Sequence, residues 1–322
     1  RQVTEFDRTL GDSLDHVPEP LQFGTSGRRG LLVHLTQLEV YINALAELEY
    51  LQTLPVKDGG IKRGDEFYFS SDLRPSSTRF DDDGRGELAQ AIQLAIENAG
   101  MKPVYLGSIP TPALTAHAVG LGKGSIMVTG SHIPFDRNGY KVPPARGELL
   151  KHHEAPINHQ VEQVRARIYS MPLPESLFDV SGRLKVGHQG LPEVDPSAER
   201  AYLQRYVDFL GDTALSGLRL AVYQHSAVGR DLLPEILRAL GATVIEAGRS
   251  DTFVPIDTEN LDAERMTAIQ SLLDEVIAEQ GRVDALVSTD GDSDRPLILG
   301  VDAETGQARF PLAVTMLSTG GG

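Results

Sequence analysis

Short apolar runs alternate along this chain with longer stretches whose apolar residues recur at helical spacing. The short runs predict strands at residues 66–71, 103–106, 125–129, 219–223, 243–247 and 285–288. The longer stretches predict helices at residues 35–54, 86–99, 229–240 and 264–279. Gly100 and Gly241 directly follow two of these helices, as glycine commonly does at a helix end. Strands that alternate with helices in this way are typical of an α/β fold.

The same pattern divides the chain into two tandem α/β domains. Residues 1–170 form the first domain, and residues 197–300 form the second. The stretch 171–196 is rich in Pro, Gly and Ser without a clear period, so it is predicted to be a connector. Residues 301–322 are expected to be the remnant of a third domain, in a chain that is truncated or lacks segments.

Composition excludes several classes of protein. A hydrophobic fraction of 40% and a charged fraction of 23% are ordinary for a globular protein. The absence of cysteine excludes thiol nucleophiles, disulfides and cysteine-based zinc sites. No apolar run approaches the roughly 18 residues that suggest a membrane helix, and the charged first residues do not resemble a signal peptide. These features predict a soluble cytoplasmic protein without a membrane partner.

The formal net charge of −15, from 45 acidic and 30 basic residues, argues against nucleic acid as a partner. The sequence contains no run rich in Lys and Arg that would offset this charge. A phosphate-bearing ligand would therefore have to meet positive groups inside a cleft. The candidates for that role are Arg28, Arg29, Arg74, Lys141 and Arg295.

Three carboxylates occupy alternate positions in Asp290-Gly291-Asp292-Ser293-Asp294-Arg295, just after the strand predicted at 285–288. Small residues separate them, so their oxygens can converge on one hard cation such as Mg²⁺ or Ca²⁺. An EF-hand is excluded because, counted from Asp290, the sixth position is Arg295 rather than Gly. Ligand sites in α/β folds gather at the carboxyl ends of strands. A metal site is therefore favoured over a solvated acidic turn.

Ser131 lies just past the strand predicted at 125–129, in the segment Thr129-Gly130-Ser131-His132. A serine hydroxyl can accept and return a phosphoryl group where a cation and positive side chains neutralise the phosphate oxygens. His132 and Lys141 are nearby groups that can move protons or stabilise charge. A Ser-His pair alone is most often a loop pair with local hydrogen bonds. The acidic loop is what gives this pair weight.

A weaker signal follows the strand predicted at 219–223, where His225-Ser226-Ala227-Val228-Gly229 opens a helix. Backbone amides at such a helix start can bind an anion. An ordinary turn capped by Ser226 explains the same residues and is the favoured interpretation, so no site residue is assigned here.

Segments spread over residues 23–295 resemble the signatures of the α-D-phosphohexomutases, in the family's order. Residues 129–141 are similar to the family's phosphoserine loop, T-A-S-H-N-P followed by N-G-x-K, and residues 290–295 to its magnesium loop. Residues 23–30 resemble F-G-T-S-G-x-R-G. Residues 72–77 and 110–112 resemble D-x-R-x-S-S and P-T-P.

The resemblance implies tandem α/β domains with mixed sheets sandwiched by helices, like the first domains of the four-domain phosphohexomutases. It also implies a mutase that interconverts the 1-phosphate and 6-phosphate of a hexose, mannose and/or glucose, through a phosphoserine and a hexose 1,6-bisphosphate. The family's sugar-recognition loop lies in its third domain and its main phosphate-binding loop in its fourth. Neither loop appears in this sequence.

The site residues implied by the resemblance are specific. Ser131 would carry the phosphoryl group, with Lys141 as general acid/base and His132 in support. Arg29 and Arg295 would balance the negative charge and bind phosphate. The ligands of Mg²⁺ would be Ser131, Asp290, Asp292 and Asp294.

Two other functions stay open. A phosphosugar phosphatase would result if water reached the phosphoserine, and a non-catalytic relative would bind sugar phosphates without turnover. The serine loop also departs from the family pattern, since Gly130 stands where Ala is commoner and Ile133 where Asn is usual. The intact serine, lysine and three aspartates favour the mutase.

Overall fold

The computed structural model describes residues 8–24, 27–146 and 151–310 of the chain. These residues separate into two compact units. The first unit takes in the described parts of 1–108, 114–130 and 136–196, and the second those of 109–113, 131–135 and 197–322. Two short segments, 109–113 and 131–135, therefore belong to the second unit although the chain on either side of each belongs to the first.

The helices of the described residues are α1 (Leu10–Ser13), α2 (Gln37–Leu51), α3 (Pro75–Thr78), α4 (Leu88–Asn98), α5 (Thr111–Gly120), α6 (Glu154–Tyr169), α7 (Ser197–Leu210), α8 (Leu232–Ala239) and α9 (Ala263–Gln280). The strands are β1 (Gln22–Gly24), β2 (Gly27–Leu31), β3 (Glu66–Ser71), β4 (Lys102–Tyr105), β5 (Ser125–Val128), β6 (Arg137–Lys141), β7 (Arg219–His225), β8 (Thr243–Arg249), β9 (Ala285–Thr289), β10 (Pro296–Val301) and β11 (Ala308–Arg309).

The first unit is built on a six-stranded mixed sheet in the order β1-β2-β6-β5-β3-β4. Strand β3 pairs in parallel with β4 and β5, so that Tyr68 lies opposite both Val104 and Ser125. The pairs of β6 with β5 and β2, and of β1 with β2, are antiparallel. Helix α2 packs against α4 and α6. Its residues 37–48 are all buried, including the polar ones, because neighbouring elements cover the helix on every side.

The second unit is built on a five-stranded mixed sheet in the order β11-β10-β9-β7-β8. Strand β7 is parallel to both β8 and β9, so β7 and β9 end side by side at His225 and Thr289. Helix α9 contributes Ile269 and Leu273 to an apolar cluster that includes Leu286 of β9. Burial of this apolar surface holds α9 on the sheet. The carboxyl ends of β7 and β9, where ligand sites of α/β folds gather, meet at one edge.

The fold-class prediction is confirmed, since both units combine a mixed sheet with helices. The predicted strands and helices are all present, with ends that differ by at most three residues. The sequence pattern does not predict β2 or β6. These strands carry polar residues such as Arg28 and Asn138, which are buried because each has hydrogen-bonding partners inside the unit.

Residues outside the two predicted domains also take part in the units. In the stretch 171–196, Phe178 and Leu184 are buried in the core of the first unit. In the stretch 301–322, strand β11 pairs with β10 and so extends the second sheet. Residues 311–322, and Thr25 and Ser26 of the N-terminal signature, lie outside the described residues.

Within the part of the chain that the structure describes, none of the helices combines the length and the apolar character that crossing a bilayer requires.

A buried ion pair ties β2 to α2 in the first unit. Arg28 Nε donates to Glu47 Oε1 at 2.6 Å, and the Tyr140 hydroxyl donates to the same oxygen at 2.8 Å. Although burial alone would lower it, the pKa of Arg28 is raised by the negative charge of Glu47. Arg28, one of the candidate phosphate contacts, is therefore a charged part of the core.

Candidate active site

Ser131 lies three residues beyond the end of β5 and has a backbone φ of +56°. This is the left-handed region, which is sparsely populated by residues other than glycine and costs on the order of 1–3 kcal/mol. Ser131 is also buried, with 1% of its surface exposed. A buried serine in a strained turn after a strand is the kind of position in which functional nucleophiles are found.

The Ser131 hydroxyl donates a hydrogen bond of 2.8 Å to Oδ2 of Asp290. The two residues are 159 positions apart in the sequence, and Asp290 directly follows β9 in the second unit. Asp290 is fully buried. The structure thus places the serine directly beside the acidic loop, although the two motifs are far apart in the sequence.

The carboxylates of Asp290, Asp292 and Asp294 can each offer one oxygen such that all three lie within 4.8 Å of one another. Asp290 and Asp292 are buried, and Asp294 is exposed. Burial, together with repulsion from the other two carboxylates, raises the pKa of Asp290 to about 8. A convergent set of oxygen ligands with excess negative charge fits a hard divalent cation. The triad could therefore hold a metal ion.

Backbone and hydroxyl groups of the second unit hold the acidic loop in shape. The amide of Val228 donates to the carbonyl of Gly291 at 2.9 Å, and the amide of Gly229 donates to Ser293 Oγ at 2.9 Å. Thr289 Oγ1 donates to the same Ser293 oxygen at 2.8 Å. Ser293, like Ser131, has a positive φ, of +60°. The loop conformation is therefore strained and depends on these partners.

In the structure, the segment 225–229 neither opens a helix as an anion site would nor caps one through Ser226. Ser226 Oγ accepts the amide of Val254 at 2.7 Å rather than an amide of α8. Helix α8 begins at Leu232, further along the chain. The amides of Val228 and Gly229 donate to the acidic loop. This segment therefore supports the acidic loop.

His132 and Arg295 both lie in the second unit near this loop. His132 Nδ1 is 3.4 Å from Ser131 Oγ, and its Nε2 is 4.0 Å from Oδ2 of Asp257. The amide of Arg295 donates to Asp290 Oδ1 at 3.2 Å, and its guanidinium pairs with Glu259 at 3.2 Å. Asp257 and Glu259, which follow β8, belong to no recognisable motif, so the sequence does not indicate them.

Arg29 and Lys141 are placed in the first unit, on the paired strands β2 and β6. Arg29 lies opposite Gly139 in this pairing, and Lys141 lies opposite Met127 of β5. Their roles toward Ser131 remain predictions.

The segment 72–77, which resembles a family signature, fixes the residues that lead into the serine loop within the first unit. Asp72 Oδ2 accepts Thr129 Oγ1 at 2.7 Å, and its Oδ1 accepts Ser77 Oγ at 2.6 Å. A Cβ on Gly130 would lie only 2.7 Å from the guanidinium carbon of Arg74. The glycine that replaces the commoner alanine thus leaves room for this buried arginine.

His225 ends β7 beside the start of the acidic loop. Its Nε2 donates to the carbonyl of Thr289 at 2.8 Å, and the residue is fully buried with a φ of +31°. Burial lowers the pKa of His225 to about 4. The bond to Thr289 opposes this shift, and the positive charges of Arg265 and Arg230 add to it. The imidazole is therefore neutral in the folded protein at neutral pH.

The depressed pKa of His225 predicts a loss of stability in acid. The unfolded chain takes up a proton near pH 6.5, whereas the folded protein resists protonation until about pH 4. The stability from this group is therefore present above pH 6.5 and falls by up to about 3 kcal/mol as the pH decreases towards 4. Urea unfolding of wild type and His225→Gln across this range should show a smaller decrease in the variant. Their difference at pH 7.5 provides the baseline, and identical pH profiles would contradict the assignment.

Comparison with known proteins follows the division of the chain. Residues 20–167 match a family description that reads phosphoglucomutase/phosphomannomutase, alpha/beta/alpha domain I. Residues 201–302 match domain II of the same family.

Individual relatives agree with these matches. A phosphomannomutase from Sinorhizobium fredii is 37% identical over 279 residues, covering 86% of this chain and 52% of the relative. A phosphomannomutase from Salmonella muenchen is 37% identical over 284 residues, covering 86% and 50%. The chain thus spans about half the length of these curated relatives. A solved phosphoglucomutase/phosphomannomutase family protein from Burkholderia thailandensis shares the fold, with a TM-score of 0.59 at 20% identity over 92% of this chain and 58% of that one.

Proposed function

We propose, because this chain belongs to the phosphoglucomutase/phosphomannomutase family, that it supplies the phosphoryl-carrying site of a hexose-phosphate mutase. In this proposal Ser131 takes a phosphoryl group from one position of a hexose bisphosphate and transfers it to the free hydroxyl of a hexose monophosphate. The observation that carries the proposal is the 2.8 Å hydrogen bond from Ser131 Oγ to Asp290. It sets a strained, buried hydroxyl directly against the acidic loop.

The transfer is balanced as an exchange between two oxygens. A hexose 1,6-bisphosphate would lose one P–O(sugar) bond while a P–Oγ bond forms on Ser131, and the serine proton would end on the released sugar oxygen. The resulting monophosphate leaves, and phosphorylated Ser131 then transfers its phosphoryl group to the free hydroxyl of an incoming hexose monophosphate, whose proton returns to Ser131 Oγ. The bisphosphate formed in this way reorients and loses its other phosphoryl group to Ser131. Repeated in both directions, this interconverts hexose 1-phosphate and hexose 6-phosphate.

The acidic triad suits Mg²⁺ by its donor set. Asp290, Asp292 and Asp294 offer only oxygen, and their mutual repulsion is relieved when a divalent cation is bound. With Ser131 Oγ beside Asp290, the proposed ligand set is these three carboxylates and the serine oxygen. A bound Mg²⁺ would neutralise charge on the transferring phosphoryl group.

The other proposed roles follow from chemistry and position. His132, with Nδ1 3.4 Å from Ser131 Oγ, can accept or share the serine proton, and Asp257 lies on its far side. Arg295 lies beside the loop and can balance charge there. Lys141 as general acid/base and Arg29 as a phosphate contact rest on the family resemblance.

The substrate that we favour is mannose phosphate, with glucose phosphate as the second choice. This preference rests on the two relatives at 37% identity, both of which are phosphomannomutases. The reaction class depends on the serine and the acidic loop, and the choice of sugar does not.

Incubation of the protein with mannose 1-phosphate, MgCl₂ and a trace of hexose 1,6-bisphosphate tests the proposal. We expect mannose 6-phosphate to accumulate, as followed by ³¹P NMR, and chelation of the metal to stop the conversion. Release of inorganic phosphate instead would indicate a phosphatase. No turnover with any hexose phosphate would support a non-catalytic binding protein and contradict the mutase.

A further inference from the structure

Thr111 makes two hydrogen bonds to one residue of the acidic triad. Its hydroxyl donates to Oδ2 of Asp292 at 2.6 Å, and its backbone amide donates to the carbonyl oxygen of Asp292 at 3.0 Å. Asp292 is fully buried, and Thr111 is 8% exposed. Both residues belong to the second unit, Thr111 through the short segment 109–113.

The residues around Thr111 fix the direction of both donors. Thr111 is the first residue of α5, so its amide has no carbonyl within the helix to bond and is available to Asp292. Pro110 and Pro112 stand on either side, and each has a restricted backbone φ and no amide hydrogen. The carbonyl of Pro110 accepts the amide of Ala113 at 2.9 Å. The first turn of α5 is therefore rigid at the point where it meets the loop.

The segment 109–113 also packs against the segment 225–229, which supports the acidic loop. A Cβ on Gly229 would lie 2.8 Å from Ser293 Oγ and 3.2 Å from Cγ of Pro110. Gly229 therefore allows the proline and the serine to approach closely, while its amide donates to that serine. The acidic loop is held between the segment 109–113 and the segment 225–229.

The hydroxyl of Thr111 acts on the carboxylate and not on its own helix. A threonine at a helix start commonly accepts an amide from the first turn, whereas this hydroxyl donates to Asp292. One bond to the main chain and one to the side chain restrict both the position and the rotation of that carboxylate. A carboxylate has about four acceptor sites, and the bond from the Thr111 hydroxyl occupies one of them.

We infer that Thr111 is a positioning residue, which holds the Asp292 carboxylate in the orientation that the triad needs to bind a divalent cation. This inference rests on the proposed function, because it takes the triad as the cation site. Partners that orient metal ligands commonly contribute a factor of about 10–100 to metal affinity. In this inference the Pro-Thr-Pro element, which the sequence shows only as a family resemblance, orients a metal ligand.

Binding of Mn²⁺, followed by electron paramagnetic resonance, tests the inference without reference to turnover. Mn²⁺ is the probe because it prefers the same oxygen ligands as Mg²⁺. We expect Thr111→Val, which keeps the shape and loses the hydroxyl, to weaken Mn²⁺ binding at least about tenfold. Thr111→Ser keeps the hydroxyl and should bind as the wild type does. Thr267→Val, which removes a threonine hydroxyl bond to Ala263 elsewhere in the unit, should also leave binding unchanged.

Two outcomes would overturn the proposed role of Thr111 and leave the proposed function intact. One is wild-type affinity in Thr111→Val, and the other is an equal loss in Thr111→Val and Thr111→Ser. If circular dichroism shows that the valine variant is unfolded, Thr111→Ala takes its place with the same expectation. Asp290→Asn separates this test from the proposed function. If wild type binds no Mn²⁺, or if Asp290→Asn binds it unchanged, the triad is not the cation site and the inference falls with it.

Discussion

Replacing Ser131 with Ala should lower the conversion of mannose 1-phosphate by more than about 10³-fold, because the oxygen that receives the phosphoryl group is lost. The change removes the hydrogen bond from Ser131 Oγ to Asp290 and the 3.4 Å contact with His132 Nδ1, and alanine fits within the volume that serine occupies. The acidic loop keeps its bonds to Val228 and Gly229. The loss should therefore appear in turnover while the thermal melting temperature changes little.

Ser250→Ala is the matched control for this prediction. Ser250 lies in the same unit, in an exposed turn where its hydroxyl bonds to Thr252. Conversion by this variant should equal that of wild type. Retention of substantial activity by Ser131→Ala would show that another group carries the phosphoryl unit, even if the protein proves to be a mutase.

Replacing Glu47 with Leu should destabilise the first unit by about 3–5 kcal/mol. The substitution leaves the Arg28 guanidinium, only 1% exposed, without its carboxylate, and it removes the acceptor of the Tyr140 hydroxyl. An uncompensated buried charge is far more costly than the intact pair. Hydrogen exchange followed by mass spectrometry should show faster exchange in β2, β6 and α2, with the second unit unchanged.

Two further variants identify the cause of that loss. In the double variant Arg28→Met, Glu47→Leu, the buried charge is gone, so we expect part of the stability to return. Glu49→Gln, on the same helix, weakens a pair with a half-exposed arginine, Arg167, and should cost less than about 1 kcal/mol. A cost of Glu47→Leu no larger than that of Glu49→Gln would contradict a buried ion pair in this core.

The sequence predicts well those helices and strands whose conformation is determined by residues within the element itself. Strand β3 contains three successive aromatic residues, 67–69, and α9 has apolar residues at helical spacing with Asp262 accepting the amide of Arg265 at its start. Strands β2 and β6 are not visible in the same way. Arg28 and Asn138 are polar, and they are buried only because distant residues supply partners. A local pattern carries no information about such partners.

The residues of the candidate active site show the same difference between those that the sequence indicates and those that it does not. The serine and the alternate aspartates have recognisable spacing, so the sequence indicates each of them, and the family resemblance places them in one mechanism. Nothing in the spacing predicts that Ser131 donates to Asp290 rather than to another of the three aspartates. The supporting residues are harder still, since Thr111 and His225 contact the loop through bonds that exist only once the chain has folded.

The positive backbone angles of Ser131 and Ser293 illustrate the limit in physical terms. Serine rarely adopts this region, and a sequence-based expectation would place glycine there. Each angle is maintained by surrounding hydrogen bonds that more than offset the local strain. Local preference is thus overruled at the positions where the proposed chemistry takes place.

The central claim is that Ser131 is the residue that carries the phosphoryl group, and mapping the phosphorylated residue tests it most directly. The protein is incubated with a hexose 1,6-bisphosphate, with and without MgCl₂, and the products are analysed by intact-mass and peptide mass spectrometry. The account predicts one added phosphoryl group on Ser131, formed only with the metal, lost on addition of hexose monophosphate, and reduced in Asp290→Asn. Phosphorylation of a different residue, or labelling of Ser131 that needs neither the metal nor Asp290, would contradict it.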